Sequence, residues 1–189
     1  MHPAGIELRR FEGRALVEIG IEDPDQPAVV ALLEHAGAYL AALYPAESNH
    51  MLEVRALKKP GVAFVVARDN GQVLGCAAMV NSAEGWAEIK RMFVAPEARG
   101  QQIGRKLLQT IEAIAAERGV TLLRLETGVK QPQAVSLYRS AGYIDIGPFG
   151  QYAPDPLSVF MEKPVAIASR PILLLKNSVP RFGKKNLRL

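Results

Sequence analysis

The sequence predicts an α/β (α+β) fold, with a mixed, mostly antiparallel central sheet of six to seven strands and helices on both faces. Three observations predict it. Residues 61–94 hold three successive apolar runs parted by short turns, the pattern of an antiparallel meander. Residues 103–118 repeat Ile103, Leu107, Leu108, Ile111, Ile114 and Ala115 at helical spacing. Strand, helix and two further strands then follow, and β-α-β units after a meander make a mixed sheet covered by helices.

Each element has its own signal. Ile6 to Phe11 reads as a short first strand of alternating character. Asp23-Pro24-Asp25 looks like a helix start, an acidic cap followed by proline. The helix runs from Gln26 to about Leu43, with Val29, Leu32, Leu33, Ala36 and Leu40 on one face, and Tyr44-Pro45 ends it. Ala46 to Leu57 is a polar connection. Gly61 to Arg68 is β-branched and apolar, Asp69-Asn70-Gly71 is a tight turn that favours positive φ, and Gln72 to Asn81 returns. Glu84 to Val94 is the third strand of the meander. Gly119 ends the helix that starts at Ile103. Thr121 to Glu126 is a strand, Pro132 to Ala141 a shorter helix ended by Gly142, and Tyr143 to Ile146 and Ser158 to Glu162 are the last strands.

Bulk composition excludes several classes. A chain of 189 residues suits one domain with a sizeable core. The single cysteine, Cys76, excludes an internal disulfide and a multi-cysteine metal site, and it sits in an apolar run that suits burial. His2, His35 and His50 are scattered without metal-ligand spacing, so no metal is expected. No leader segment and no apolar stretch of membrane-spanning length is visible, so a cytoplasmic protein with no membrane partner is expected. The formal charge of +4 comes from the end of the chain. Residues 165–189 carry Arg170, Lys176, Arg181, Lys184, Lys185 and Arg188 and no acid, which leaves −2 for residues 1–164. We therefore expect a main domain at 1–164 and a basic C-terminal extension at 165–189. No nucleic-acid partner is expected, because the basic segment has little aromatic interleaving.

Chemistry points to the turn between the third strand of the meander and the long helix. Arg99-Gly100-Gln101-Gln102-Ile103-Gly104-Arg105 lies at a helix N-terminus, where unpaired amides and the helix dipole attract an anion. Glycines let the backbone curl round a phosphate, and Arg99, Arg105 and Lys106 add positive charge. The same residues also suit a basic surface turn. There is no Gly-Lys-Ser/Thr of a P-loop and no G-x-G-x-x-G of a dinucleotide fold.

Context extends this reading. Ala87 to Gly100 followed by Ile103-Gly104-Arg105-Lys106-Leu107-Leu108 resembles the GCN5-related N-acetyltransferase (GNAT) family, and so does Ala134-x-x-Leu137-Tyr138-x-x-x-Ala141-Gly142-Tyr143 beyond the next strand. The resemblance spans roughly residues 6–163. It implies the acyl-CoA N-acyltransferase fold and acetyl-CoA as co-substrate. The cofactor would lie where two parallel strands, ending at Val94 and Glu126, splay apart. Main-chain groups near Phe93 and Val94 would hold the pantetheine arm and the acetyl carbonyl, and amides from Gly100 to Arg105 the pyrophosphate. The amine would attack the thioester directly.

The sequence departs from the family pattern at two positions. The family's loop reads Q/R-x-x-G-x-G/A, and its first glycine falls on Gln102 here. A residue with a Cβ fits there if its φ is negative. The family's asparagine before the second motif is replaced by Gln131.

The resemblance also assigns proton carriers. Tyr138 matches the tyrosine that faces the CoA sulfur and acts as general acid. An ordinary phenol, with pKa about 10, protonates a thiolate whose thiol has pKa about 8.5 only with help from geometry or coupled proton movement. Glu88 matches the glutamate base of the histone-acetylating branch, and it equally suits an exposed strand glutamate paired with a lysine or arginine. His35 reads as a surface or packing residue and His50 as a loop residue on the substrate side.

The resemblance places the acceptor site at Tyr44 to Leu52 and Pro148 to Pro156. Glu47, Glu126 and Asp155 would attract a cationic amine, and Phe149 and Tyr152 would pack on its apolar part. Asp155 between two prolines also suits turn chemistry. The expected acceptor is a small primary amine or an amino-acid-like molecule. A protein lysine or N-terminal amine, or a non-catalytic acyl-CoA-binding domain, stands as the alternative. A homodimer is compatible with the family.

Overall fold

The computed structural model describes residues 17–48 and 52–166. The strand expected at Ile6 to Phe11 and the histidines His2 and His50 fall outside these residues. The described elements are β1 Glu18–Ile21, α1 Pro27–Leu43, α2 Val54–Leu57, β2 Val62–Asp69, β3 Gln72–Asn81, β4 Ala87–Val94, α3 Ile103–Glu117, β5 Leu122–Gly128, α4 Pro132–Ser140, β6 Ile144–Ile146 and β7 Ser158–Pro164. Short 3-10 turns occupy Ala46–Ser48 and Pro96–Ala98.

The strands form one seven-stranded sheet in the order β1-β2-β3-β4-β5-β7-β6. All neighbours are antiparallel except β4 and β5. The parallel pair follows from the connection: α3 carries the chain back before β5 begins, as a crossover helix must. The expected mixed, mostly antiparallel sheet is therefore present. Strand β1 was not anticipated at Glu18–Ile21. It is exposed and short, and it pairs with the outer edge of β2.

Leu74 to Met79 of β3 are six consecutive buried residues, and Ala63 to Ala67 of β2 are five. A strand buried at every position has both faces covered. Helices α1 and α3 both pack against β3 and β4 and supply that cover. The periodic face of α3 is fully used, with Ile103, Leu107, Leu108, Ile111 and Ala115 at 1% exposure or less. Burying each large aliphatic side chain stabilises the fold by about 1.5–3 kcal/mol.

The start of α1 differs from expectation by a few residues. Its N-cap is Gln26 and Pro27 opens the first turn. Asp23 instead accepts the Asp25 amide at 2.9 Å in the preceding turn. The carboxyl of Glu22 accepts from both Nε and Nη2 of Arg68, which ties that turn to β2. Arg68 holds the Glu22 carboxyl below its ordinary range.

Strand β4 carries a bulge. Cys76 pairs with Phe93 and Ala78 with Lys90, so β4 has one residue more than β3 across this step. Arg91 sits in it with φ +54. Its Nη2 donates to the Leu33 carbonyl of α1 at 3.2 Å, while its Nε is buried without a partner among the described residues. The β4–β5 ladder begins at Ala87↔Leu123 and stops at Ile89↔Leu125. Beyond that pair the two parallel strands separate, and the gap between them is where the site lies.

Candidate active site

A cleft of about 570 Å³ opens at the N-terminus of α3, walled by β4, the loop before α3, and α4. Phe93, Val94, Arg99, Gly100, Gln102, Ile103, Gly104, Arg105, Gln131 and Tyr138 all line it. Gln101 belongs to the same loop and is exposed. No side chain caps α3, and its first backbone bond is from Lys106 N to Gln102 O at 3.1 Å. The amides of Ile103, Gly104 and Arg105 thus have no acceptor within the helix, the arrangement that suits an anion. Gly104 is needed for closeness: a Cβ there would sit 3.2 Å from Leu137 and 3.7 Å from both Met92 and Val94.

The loop cations are oriented by their neighbours. The Arg99 guanidinium lies 5.5 Å from the Tyr39 ring and 5.8 Å from the Phe93 ring. Arg105 donates to Ser140 Oγ of α4 at 2.7 Å. His35 is exposed and touches Phe93 through its ring, as a packing role requires.

Gln102 corrects an expectation. Its φ is +61, in the left-handed region, not negative. Gly100, two residues earlier, also has positive φ at +80. The loop needs two left-handed residues to turn from the 3-10 turn into α3. At Gln102 the chain adopts that conformation without glycine, at a cost of about 1–2 kcal/mol.

A second, smaller cavity of about 110 Å³ adjoins the cleft. Met92, Gln131, Ala134 and Tyr138 line both spaces, and Glu88, Lys90, Glu126 and Thr127 complete the smaller one. Tyr138 is buried, and its hydroxyl faces the weak acceptor Met92 Sδ at 3.3 Å. Burial, and to a lesser degree the Glu126 carboxylate, push its pKa well above the ordinary phenol value. It therefore stays protonated and acts as a donor. Glu126 is fixed by Ser158 Oγ, which donates to Oε1 at 2.7 Å.

The model of the "Acetyltransferase (GNAT) family" matches residues 29–143, which hold α1, the meander, the cleft loop and α4. This chain belongs to the GNAT acetyltransferase family. It is 55% identical over 150 residues to an IAA acetyltransferase of Azospirillum brasilense, a match covering 79% of this chain and 98% of that one. A Klebsiella pneumoniae structure described as an acyl-CoA N-acyltransferase shares 38% identity and a TM-score of 0.69, over 81% of this chain and 100% of the other. The same fold occurs in an N-acetyltransferase of Thermoplasma acidophilum solved in complex with coenzyme A, with 18% identity, a TM-score of 0.62, and 78% and 98% coverage.

The remaining GNAT residues named from the sequence divide between the cavity and the surface. Glu88 is drawn into a cluster: Lys90 Nζ donates to its Oε1 at 2.9 Å, and the Tyr152 hydroxyl donates to the same oxygen at 2.5 Å. The glutamate is paired with a lysine, as one expectation had it, but at 14% side-chain exposure it is not the exposed strand residue that expectation described. Gln131 lines both the cleft and the smaller cavity. Asp155 does turn chemistry, accepting the Leu157 amide at 2.8 Å. Glu47 is exposed.

Several side chains of this GNAT site escaped the sequence reading. Lys90 stands two residues from Glu88 on the same strand, and that spacing was the available signal. Tyr44 did not escape it: read as a helix end and as the start of the expected acceptor segment, it accepts the Lys130 amide at 2.8 Å. It lies so close to Gly128 that a Cβ there would collide with its ring and hydroxyl. Trp86 carried no local signal. No helix among the described residues is long and apolar enough to cross a membrane, and no His/Cys/Asp/Glu group among them has the makings of a metal site.

Proposed function

We propose that this enzyme transfers an acetyl group from acetyl-CoA to the primary amine of a small molecule by direct attack. The observation that carries this reading is the shared wall of the two cavities. A cleft with uncapped helix amides suits the pyrophosphate, and it meets a small polar chamber at Tyr138. The thioester would reach that chamber from one side and the amine from the other.

The residues divide the proton work. An alkylammonium must lose a proton before it attacks, and we assign that proton to Glu88. Lys90 and Tyr152 both engage its Oε1, and no partner is described for Oε2. Attack forms the C–N bond and puts positive charge on nitrogen. Collapse breaks the C–S bond, and the nitrogen's second proton passes to the departing sulfur, so the products are the amide and the CoA thiol. Tyr138, kept neutral by burial, donates a hydrogen bond to the departing sulfur. Its raised pKa makes it a better stabiliser of the thiolate than a full proton donor. Main-chain groups of Phe93 and Val94 are assigned to the pantetheine arm and acetyl carbonyl, and the segment from Arg99 to Arg105 with Gln131 to the rest of the cofactor.

The relative named for IAA supports a small-molecule acceptor. We assign catalysis to residues 1–164 and treat 165–189 as an extension, so a chain ending at Pro164 keeps full turnover. The deciding assay is free-CoA release over amines, amino acids, aminoglycosides, polyamines and peptides. Release with small amines supports the reading. Release with peptides alone, or no release while acetyl-CoA raises the melting temperature, overturns it.

A further inference from the structure

A third space, of about 500 Å³, lies beyond the small chamber, and Glu88 and Lys90 line both. Its size is that of a site for a small organic molecule. Its walls include Trp86, which precedes β4, and Phe149 and Tyr152 from the loop between β6 and β7.

These rings are held in fixed orientations. Trp86 and Phe149 meet edge to face at 5.4 Å and 84°, and Phe149 and Tyr152 at 5.1 Å and 69°. Phe160 of β7 packs behind them, 6.0 Å from Phe149 and 5.4 Å from Tyr152. Trp86 Nε1 donates to Glu84 Oε2 at 2.9 Å, and the Arg124 guanidinium lies 5.2 Å from the Trp86 ring. Tyr152 is fixed at its hydroxyl by Glu88 and Lys90. Aromatic faces and edges already ordered in this way favour a flat ring over a flexible alkyl chain, because ring–ring contacts contribute about 0.5–1.5 kcal/mol beyond area alone. The charged groups on the wall are Glu84, Glu88 and Lys90, an excess of one negative charge, which favours a cation.

We propose that this cavity takes the body of the acceptor, and that the acceptor is a primary amine borne on an aromatic ring through a short linker. The ring lies against Trp86, Phe149 and Tyr152, and the amine passes Tyr152 to reach Glu88. This rests on the amine-acetylation reading above and names the acceptor class.

Trp86 is the chain's single tryptophan, so its emission reports occupancy of the cavity without turnover. The full chain with coenzyme A is titrated with 2-phenylethylamine and with n-hexylamine, and CoA release from acetyl-CoA is followed for both. The expected result is a saturable change in Trp86 emission with 2-phenylethylamine and a kcat/KM at least tenfold above that of n-hexylamine. Val80→Phe, and independently Leu52→Phe from another element, fill the cavity. Each raises the amine KM at least tenfold and leaves the acetyl-CoA KM within twofold. Equal kcat/KM for the two amines overturns the proposal while acetyl transfer stands. If neither amine releases CoA while another small amine of the wider panel does, the aromatic acceptor is overturned and acetyl transfer stands; if no small amine of the panel does, the transfer reading fails, and the titration decides the ring site: saturation sustains it and a flat trace removes it.

Discussion

Tyr152 and Glu88 share a 2.5 Å hydrogen bond across 64 residues of sequence, and Lys90 reaches both, at 2.6 Å and 2.9 Å. The contact joins the last loop to the strand that leads into the cleft at the N-terminus of α3. Burial and the Glu88 carboxylate push the Tyr152 phenol well above its ordinary pKa, so it remains a donor throughout the assay range. Glu88→Gln is expected to lower kcat about 10²-fold, in the range seen for lost general bases. Tyr152→Phe keeps the ring and loses the donor, and it is expected to lower kcat about tenfold. The acetyl-CoA KM stays within about twofold in both, because neither residue lines the cleft. Steady-state CoA release checks this, and unchanged kcat in Glu88→Gln removes it as the base.

Tyr138→Phe tests the other end of the reaction. Among the described residues the hydroxyl donates to the weak thioether acceptor of Met92, so its loss disturbs little in the resting fold. Turnover is expected to fall about 10²-fold, the scale for one donor aimed at developing charge. Acetyl-CoA affinity by calorimetry is expected to change less than threefold. Near wild-type turnover would take Tyr138 out of the mechanism.

Gln102→Gly relieves a left-handed residue that carries a Cβ. Thermal unfolding is expected to show a gain of about 1 kcal/mol or less, since the added freedom of glycine in the unfolded chain offsets part of the relief. Gln102→Val is expected to cost about 1–2 kcal/mol, because a β-branched side chain resists positive φ more strongly. A stability ranking of Val above Gly contradicts the left-handed geometry.

Cys76 supplies a pH-dependent test. Burial raises its thiol pKa to about 12, above the ordinary value near 9. A thiol with a raised folded pKa favours the folded state below the unfolded pKa, and that contribution is lost as pH climbs toward 12. Native protein at pH 8 is therefore expected to leave Cys76 unreactive toward a chromogenic disulfide, with rapid reaction on unfolding. Alkaline destabilisation is expected to begin near pH 9 and to weaken in Cys76→Ala. A thiol that reacts in the native state refutes the assignment.

The meander, α3 and the crossover to β5 were legible because their signals are local: alternation, an Asn-Gly turn and an unbroken helical stripe. Tyr138, Gln131 and Gly104, named from motif positions far apart in the chain, line one cleft. Gln102 was misread because a side chain's identity does not fix its φ. The loop's path into α3 does. Strand β1 was missed because Glu18–Ile21 is a short, exposed edge with little periodicity to read.

The sequence by itself determined the family, the order of elements and the glycine-punctuated loop before α3, since each rests on residues close together in the chain. Only the tertiary structure decided how Glu88 is partnered and what walls the cavity beside it. Lys90, Trp86 and Tyr152 come from β4, the turn before it and a loop some 60 residues on, and no local pattern joins them. The physical reason is that β7 inserts between β5 and β6, which swings the last loop back over β4. Contacts of that kind exist once the sheet has formed.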